Sequence, residues 1–221
     1  MAEVTIEVSA LLFDMDGVLV SSIGSVLRSW RKWGAHYGLP NAEQLEIPHG
    51  VRAIDILKQL HPEVDPVEGL RLIEDIEIED TDDIEVLRGV KPLLEALPHE
   101  RWAIVTSATR RLLLGRLEAA GLPVPDRIIS GDIVQRGKPD PEPYCRGAEL
   151  LGAEPSGCLV FEDAPTGVRA GVAAGCRVVG VLGTHAEQEL REAGASWIVE
   201  SLAKVRAQVR GSSIAVTIEA I

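Results

Sequence analysis

The apolar run Ala10-Leu11-Leu12-Phe13 stops abruptly at Asp14-Met15-Asp16-Gly17. A short apolar run bounded by a turn signal predicts a buried strand, and in open α/β sheets chemistry gathers at the carboxyl ends of strands. Asp14 is therefore expected at a strand tip facing a crevice, with Asp16 two residues on, where the chain turns. Two carboxylates this close to a buried strand repel one another and resist burial unless a cation or a shared proton separates them. D-x-D-G alone is equally a polar loop after a strand, so the company it keeps decides its meaning.

That company is a chain of strands and helices. Val4 to Val8 alternates apolar and polar residues, as a strand running toward Ala10 would, and Ser21-Ser22 are candidate helix caps. Ile23, Val26, Leu27, Trp30, Gly34 and Tyr37 keep a helical period, as do Val51, Ile54, Leu57 and Leu60, then Val67, Leu70, Ile73 and Ile76. Three helices without an intervening strand predict an inserted helical cap over 22–86. Within it, Glu74 to Glu85 holds eight acids and no base among twelve residues, which reads as a solvated helix face and loop.

Beyond Gly89 a helix face over Val90, Leu93, Leu94 and Leu97 precedes the strand Trp102–Ser107. A helix from about Thr109 to Ala120, the short run Ile128-Ile129 and the proline-punctuated loop 137–143 opening a helix to Leu151 follow. Cys158–Phe161 is a further strand ending in Glu162-Asp163. A small-residue helix after Pro165, a strand over 177–182 and a last one at 197–199 complete the alternation. The expected fold is α/β: a doubly wound, mostly parallel sheet over 1–21 and 87–221, with the helical cap inserted. Ile214 to Ile218 is a candidate terminal strand with no partner assigned.

A formal net charge of −12 over 221 residues argues against nucleic acid or an anionic membrane as partner. It leaves any anion site to local cations, backbone N–H groups or a metal. Cys145, Cys158 and Cys176 form no C-x-x-C pair. Neither a basic-plus-apolar leader nor an apolar run of about 18 residues is present. A cytoplasmic protein is expected, with monomer as the default state.

If the strands are parallel neighbours, their tips deliver complementary groups to one crevice. Asp14, Asp16, Glu162 and Asp163 offer hard oxygen ligands suited to Mg²⁺, Lys138 a compact positive charge, and Ser107 a hydroxyl with neighbouring N–H groups. Phosphoryl transfer asks for such a set, because it rests on positioning and on neutralising the equatorial oxygens. Asp14, on the more rigid strand end, is the candidate nucleophile. Asp16 is the candidate acid/base for the leaving alkoxide and then for water.

The segments LLFDMDGVLV, WAIVTSATR, RGKPDPEPY and LVFEDAPTGVRAGVAAGCRVVGV, in that order, resemble the haloacid dehalogenase superfamily. Within it they are similar to the small sugar-phosphate and glycerol-phosphate phosphatases. The resemblance implies a Rossmann-like core with a mobile cap and a Mg²⁺-dependent phosphomonoester hydrolase working through an aspartyl phosphate. It implies Asp14 as nucleophile and Asp16 as acid/base that also gives a backbone carbonyl to the metal. Ser107 and Lys138 would hold the phosphate, and Glu162 and Asp163 would complete the metal site. In the cap, His49-Gly50-Val51-Arg52-Ala53-Ile54-Asp55 resembles the substrate loop of phosphatases acting on 2-deoxyglucose 6-phosphate and glycerol phosphate, which makes His49 and Arg52 candidate substrate contacts. The expected partner is a small phosphorylated sugar or polyol.

The nearest rival enzyme is a β-phosphoglucomutase-type sugar phosphomutase with the same core groups. A dehalogenase has no use for the acidic set, and a phosphonate hydrolase wants a cap lysine where only Lys32 and Lys58 stand. A signalling receiver also carries strand-end acids, a hydroxyl and a lysine, without the inserted helices.

Overall fold

The computed structural model describes residues 2–221; Met1, which opens the expected core segment 1–21, lies outside them. In chain order the elements are β1 (Ala2–Val8), β2 (Ala10–Phe13), β3 (Val20–Ser21), α1 (Ile23–His36), α2 (Ala53–Leu60), α3 (Pro66–Glu79) and β4 (Glu85–Val86). Then come α4 (Val90–Glu95), β5 (Trp102–Val105), α5 (Arg110–Ala120), β6 (Ile128–Ile129), α6 (Glu142–Leu150), β7 (Cys158–Glu162) and α7 (Pro165–Ala173). The chain finishes with β8 (Arg177–Val181), α8 (Glu187–Glu192), β9 (Trp197–Val199), β10 (Val205–Arg210) and β11 (Ser213–Ala220).

Six strands form one parallel sheet in the order β6-β5-β2-β7-β8-β9. β2 sits in its middle, with Leu12 opposite Ala103 on one side and Val160 on the other. All four β2 residues are buried, because strands covered on both faces carry apolar side chains in both directions. One layer stacks Phe13 on Phe161 at 4.8 Å, with Trp102 edge-on to Phe13 at 6.0 Å. The opposite layer packs Leu12, Val105, Val160, Tyr144 and Val168. Since β5, β2 and β7 run parallel side by side, their carboxyl ends open on the same edge.

The helical insertion has a small core of its own in Trp30, Trp33, Ile56, Leu57 and Ile73, and β3 pairs with β4 where the chain leaves and re-enters the sheet domain. Asp65 starts α3 by accepting from the N–H groups of Val67 and Glu68, with Pro66 pre-set for the first turn. Thr109 does the same for α5 by accepting from Leu112 N.

The first strand forms where its alternation predicts, and it belongs to a separate sheet: β1 breaks at Ser9 and pairs antiparallel with β11, which also pairs with β10. The reason lies in its pattern: Val4, Ile6 and Val8 face the core while the alternate positions face solvent, which suits an antiparallel sheet wet on one side. The candidate terminal strand at 214–218 is thus the centre of this small sheet, and β3, β4, α8 and β10 are additions to the expected set.

Candidate active site

Asp14 follows β2 with its backbone N–H held by Phe161 O at 3.0 Å, and its carboxylate is buried beneath the cleft between the sheet and the helical insertion. Lys138 Nζ, equally buried, lies 3.0 Å from Asp14 Oδ1 and 2.7 Å from Glu162 Oε1, and donates to Val105 O at 3.0 Å. The rigid loop 137–143 thereby delivers a cation directly behind the strand tip. Between two carboxylates the ammonium is held protonated well above its ordinary range, the pull of Asp14 and Glu162 outweighing burial.

Asp14, Glu162 and Asp163 each place an oxygen within 4.8 Å of the others, all buried. Desolvation pushes Asp14 up to about 7 against the opposing pull of Lys138, with Glu162 and Asp16 adding repulsion. Asp163 is raised well above the usual carboxylate range, again chiefly by burial. Three buried acids against one lysine leave a surplus of negative charge that a divalent cation would neutralise. The backbone supports that fit: Gly17 has φ +74°, and a Cβ there would collide with Asp163 Oδ2, so glycine keeps the approach to the cluster open.

The three acids are not equivalent. Glu162 accepts from Lys138 and Tyr144 OH (2.6 Å) at Oε1, and from the N–H groups of Asp163 (3.1 Å) and Ala164 (3.3 Å) at Oε2. A Cβ on Gly167 would strike this carboxylate, so α7 begins pressed against it. With four donors on two oxygens, Glu162 positions Lys138 and is the least available of the three as a ligand. Asp14 and Asp163 are the freer pair.

Asp16 is held by residues its own neighbourhood does not advertise. Its Oδ1 accepts from Ser22 Oγ at 2.6 Å, and its Oδ2 from Arg116 Nη1 at 2.5 Å. Ser22, expected as a helix cap, makes no side-chain cap bond and serves Asp16 instead. Arg116 comes from α5, a hundred residues along, and its other terminal nitrogen reaches Glu77 on α3 at 3.3 Å.

Ser107 lines the cavity, with its hydroxyl donating to Gly50 O at 2.7 Å. His49 lines it too; its carbonyl accepts from Thr166 Oγ1 at 3.0 Å and its ring meets His185 edge-on at 5.6 Å. Burial, then His185, lowers the His49 pKa, so the ring is biased toward neutral. Arg52 is engaged beside the cavity, whose wall its neighbours Val51 and Ala53 line. Its guanidinium donates to Asp55 at 2.7 and 3.1 Å and to Val134 O at 2.9 Å, which makes it a strap between the helical insertion and the core loop in this structure. The acidic stretch is solvated only in part, with Glu79, Asp82 and Glu85 exposed. Glu74 bonds Thr109 and Arg111, Glu77 faces Arg116, and Asp80 pairs with Arg28 and Lys32, so basic groups distant in sequence draw these acids out of solvent.

Residues 11–181 match the model of the haloacid dehalogenase-like hydrolases. The chain is 42% identical over 175 residues to hexitol phosphatase A of Escherichia coli, covering 77% of this chain and 81% of the relative. It is 35% identical over 214 residues to glycerol-1-phosphate phosphohydrolase 2 of Saccharomyces cerevisiae, covering 91% and 86%. Among solved structures, a haloacid dehalogenase family hydrolase from Deinococcus radiodurans with bound phosphate and sodium superposes with TM-score 0.66 at 31% identity, over 89% of this chain and 92% of that one.

Proposed function

The chain belongs to the haloacid dehalogenase-like hydrolases and is a phosphatase of that family, and we propose that it hydrolyses small sugar or polyol phosphates through an aspartyl phosphate on Asp14, with Mg²⁺ as cofactor. One observation carries the reading. The buried Asp14, its oxygen 3.0 Å from Lys138, shares the floor of a cleft with Asp163 and lies under a helical insertion whose substrate-side loop is docked at Ser107.

In this account Asp14 attacks phosphorus in line with the leaving oxygen. The ester P–O bond breaks, its electron pair stays on the sugar or polyol oxygen, and Asp16 supplies the proton that oxygen needs. Water then attacks the acyl phosphate, Asp16 takes its proton, and the P–O bond to Asp14 breaks to release inorganic phosphate. Lys138 offsets the charge on Asp14 and on the phosphoryl oxygens, while the Ser107 hydroxyl, freed from Gly50, donates to the phosphate. Asp14, Asp163 and the Asp16 backbone carbonyl would hold Mg²⁺, with Glu162 behind them. When bound, the ion supplies positive charge against the phosphoryl oxygens and keeps Asp14 ionised. Segment 22–86 acts as the cap that excludes water, fastened at Gly50, His49 and Arg52.

The test is phosphate release from a panel of polyol and sugar phosphates, with Mg²⁺ and after EDTA. Release of inorganic phosphate that EDTA abolishes and Mg²⁺ restores supports the reading. Conversion of a sugar 1-phosphate to its isomer without phosphate release would point to the mutase instead, and no turnover of any ester would overturn the proposal.

A further inference from the structure

Asp16 is not the only acid that Arg116 faces. Glu77, on α3, is about 4% exposed and lines the same cavity as Asp14 and Asp16. Its charged partner is Arg116 Nη2 at 3.3 Å from Oε1, and among the described residues no hydrogen bond reaches its carboxyl. Its neighbour Glu74 also lines the cavity but is satisfied by Thr109 and Arg111 on α5. Arg116 Nε is buried without a partner. A carboxyl on a cavity wall with one ion-pair partner and no hydrogen bond keeps lone pairs free to accept from a donor that enters the cavity.

The identity of that donor follows from what surrounds it. The rest of the wall on the helical insertion is mostly apolar (Ile23, Val26, Ile56, Leu70), and among the described residues neither Trp30 nor His49, which also line it, hydrogen-bonds the carboxyl. A cationic donor would meet Arg116, already wedged between Glu77 and Asp16. A neutral hydroxyl donates without that repulsion, and the apolar wall suits the C–H faces of the carbon chain bearing it. Glu77 is also bridged through Arg116 to Asp16, the group assigned to the leaving oxygen, so a hydroxyl near that oxygen is within the same part of the cleft.

We propose that Glu77, braced by Arg116, is a specificity-determining residue that accepts a hydrogen bond from a hydroxyl of the leaving group, so that the enzyme selects phosphate esters of polyhydroxylated alcohols over those lacking such a hydroxyl. This rests on the phosphatase reading above and narrows it. Polar sites of this kind discriminate, because an ester without the hydroxyl fills the cleft without supplying the carboxyl's hydrogen-bond donor.

The experiment compares kcat/KM for glycerol 1-phosphate, sorbitol 6-phosphate and p-nitrophenyl phosphate in the Mg²⁺-loaded wild-type enzyme and in Glu77→Leu and Glu77→Gln. In Glu77→Leu the ratio of polyol to aryl kcat/KM falls by about tenfold or more, the value of one buried hydrogen bond. In Glu77→Gln, which keeps an acceptor oxygen, the ratio stays within about threefold of wild type. A parallel fall on all three esters, or an unchanged ratio in Glu77→Leu, overturns the assignment. Wild-type turnover of the aryl ester alone would overturn this inference while leaving a phosphatase, and turnover of none of the three would overturn both readings.

Discussion

Lys138 Nζ stands 3.0 Å from Asp14 Oδ1, and neither side chain has appreciable contact with solvent. The pairing joins the first strand tip to a loop more than a hundred residues later, and a third charge, Glu162, closes it from below at 2.7 Å. Removing the lysine strands two buried carboxylates. Lys138→Met is expected to destabilise the fold by roughly 3–5 kcal/mol, read as a lower urea midpoint, with activity lost as well. A midpoint unchanged from wild type would mean the pair carries no structural weight.

Asp14→Asn keeps the shape and one acceptor oxygen but removes the proposed nucleophile. Activity should fall on the order of 10⁴-fold or more, with the circular dichroism spectrum and melting curve retained. Residual activity near wild type would move the nucleophile elsewhere.

Ser22 serves Asp16 rather than the start of α1. A hydrogen bond to a carboxylate is typically worth about 1.5–3 kcal/mol, so Ser22→Ala should lower kcat by about ten- to a hundredfold with little change in helix content. Helix loss without a kcat effect would restore the capping role.

Without a divalent cation, burial holds Asp14 and Glu77 near 7 and Asp163 higher than an unfolded chain would. A raised folded-state pKa contributes stability that is full below the unfolded value and is lost as pH rises through the folded one. The metal-free protein should therefore lose stability as pH rises from about 4 through 7, with Asp163 extending the loss in the same direction. Added Mg²⁺ should recover part of it at the alkaline end, where the acids are ionised. Urea midpoints across this range check it; a midpoint that climbs with pH in the metal-free protein would contradict it.

Arg52 ties the loop of the helical insertion to Val134 O. Arg52→Ala should raise KM and speed amide hydrogen exchange over residues 48–53, leaving the central strands protected. Exchange unchanged in that loop would show the strap to be dispensable.

Sequence alone reached the groups that chemistry marks by type and place. Asp14, Lys138, Glu162 and Asp163 end apolar runs or open a rigid loop, and parallel neighbours bring such ends together. It could not reach Arg116, Tyr144 or Glu77, because each is an ordinary helix residue whose importance comes from a partner far along the chain. The Arg52 strap was also out of reach, because only tertiary structure supplies Asp55 and the Val134 carbonyl to a loop arginine. The run from Glu74 to Glu85 misled in part for the same reason: local charge density reports no distant counter-ions. Val4 to Val8 was legible as a strand, but its sheet was not, since its alternation specifies one wet face without naming the strand beside it.

The most direct measurement is to mix enzyme, Mg²⁺ and a polyol phosphate, quench within one turnover, reduce with borohydride and sequence the peptides by mass spectrometry. An aspartyl phosphate at Asp14 would appear as homoserine at position 14, dependent on substrate. Homoserine at another position, or none while inorganic phosphate is being released, would contradict the account.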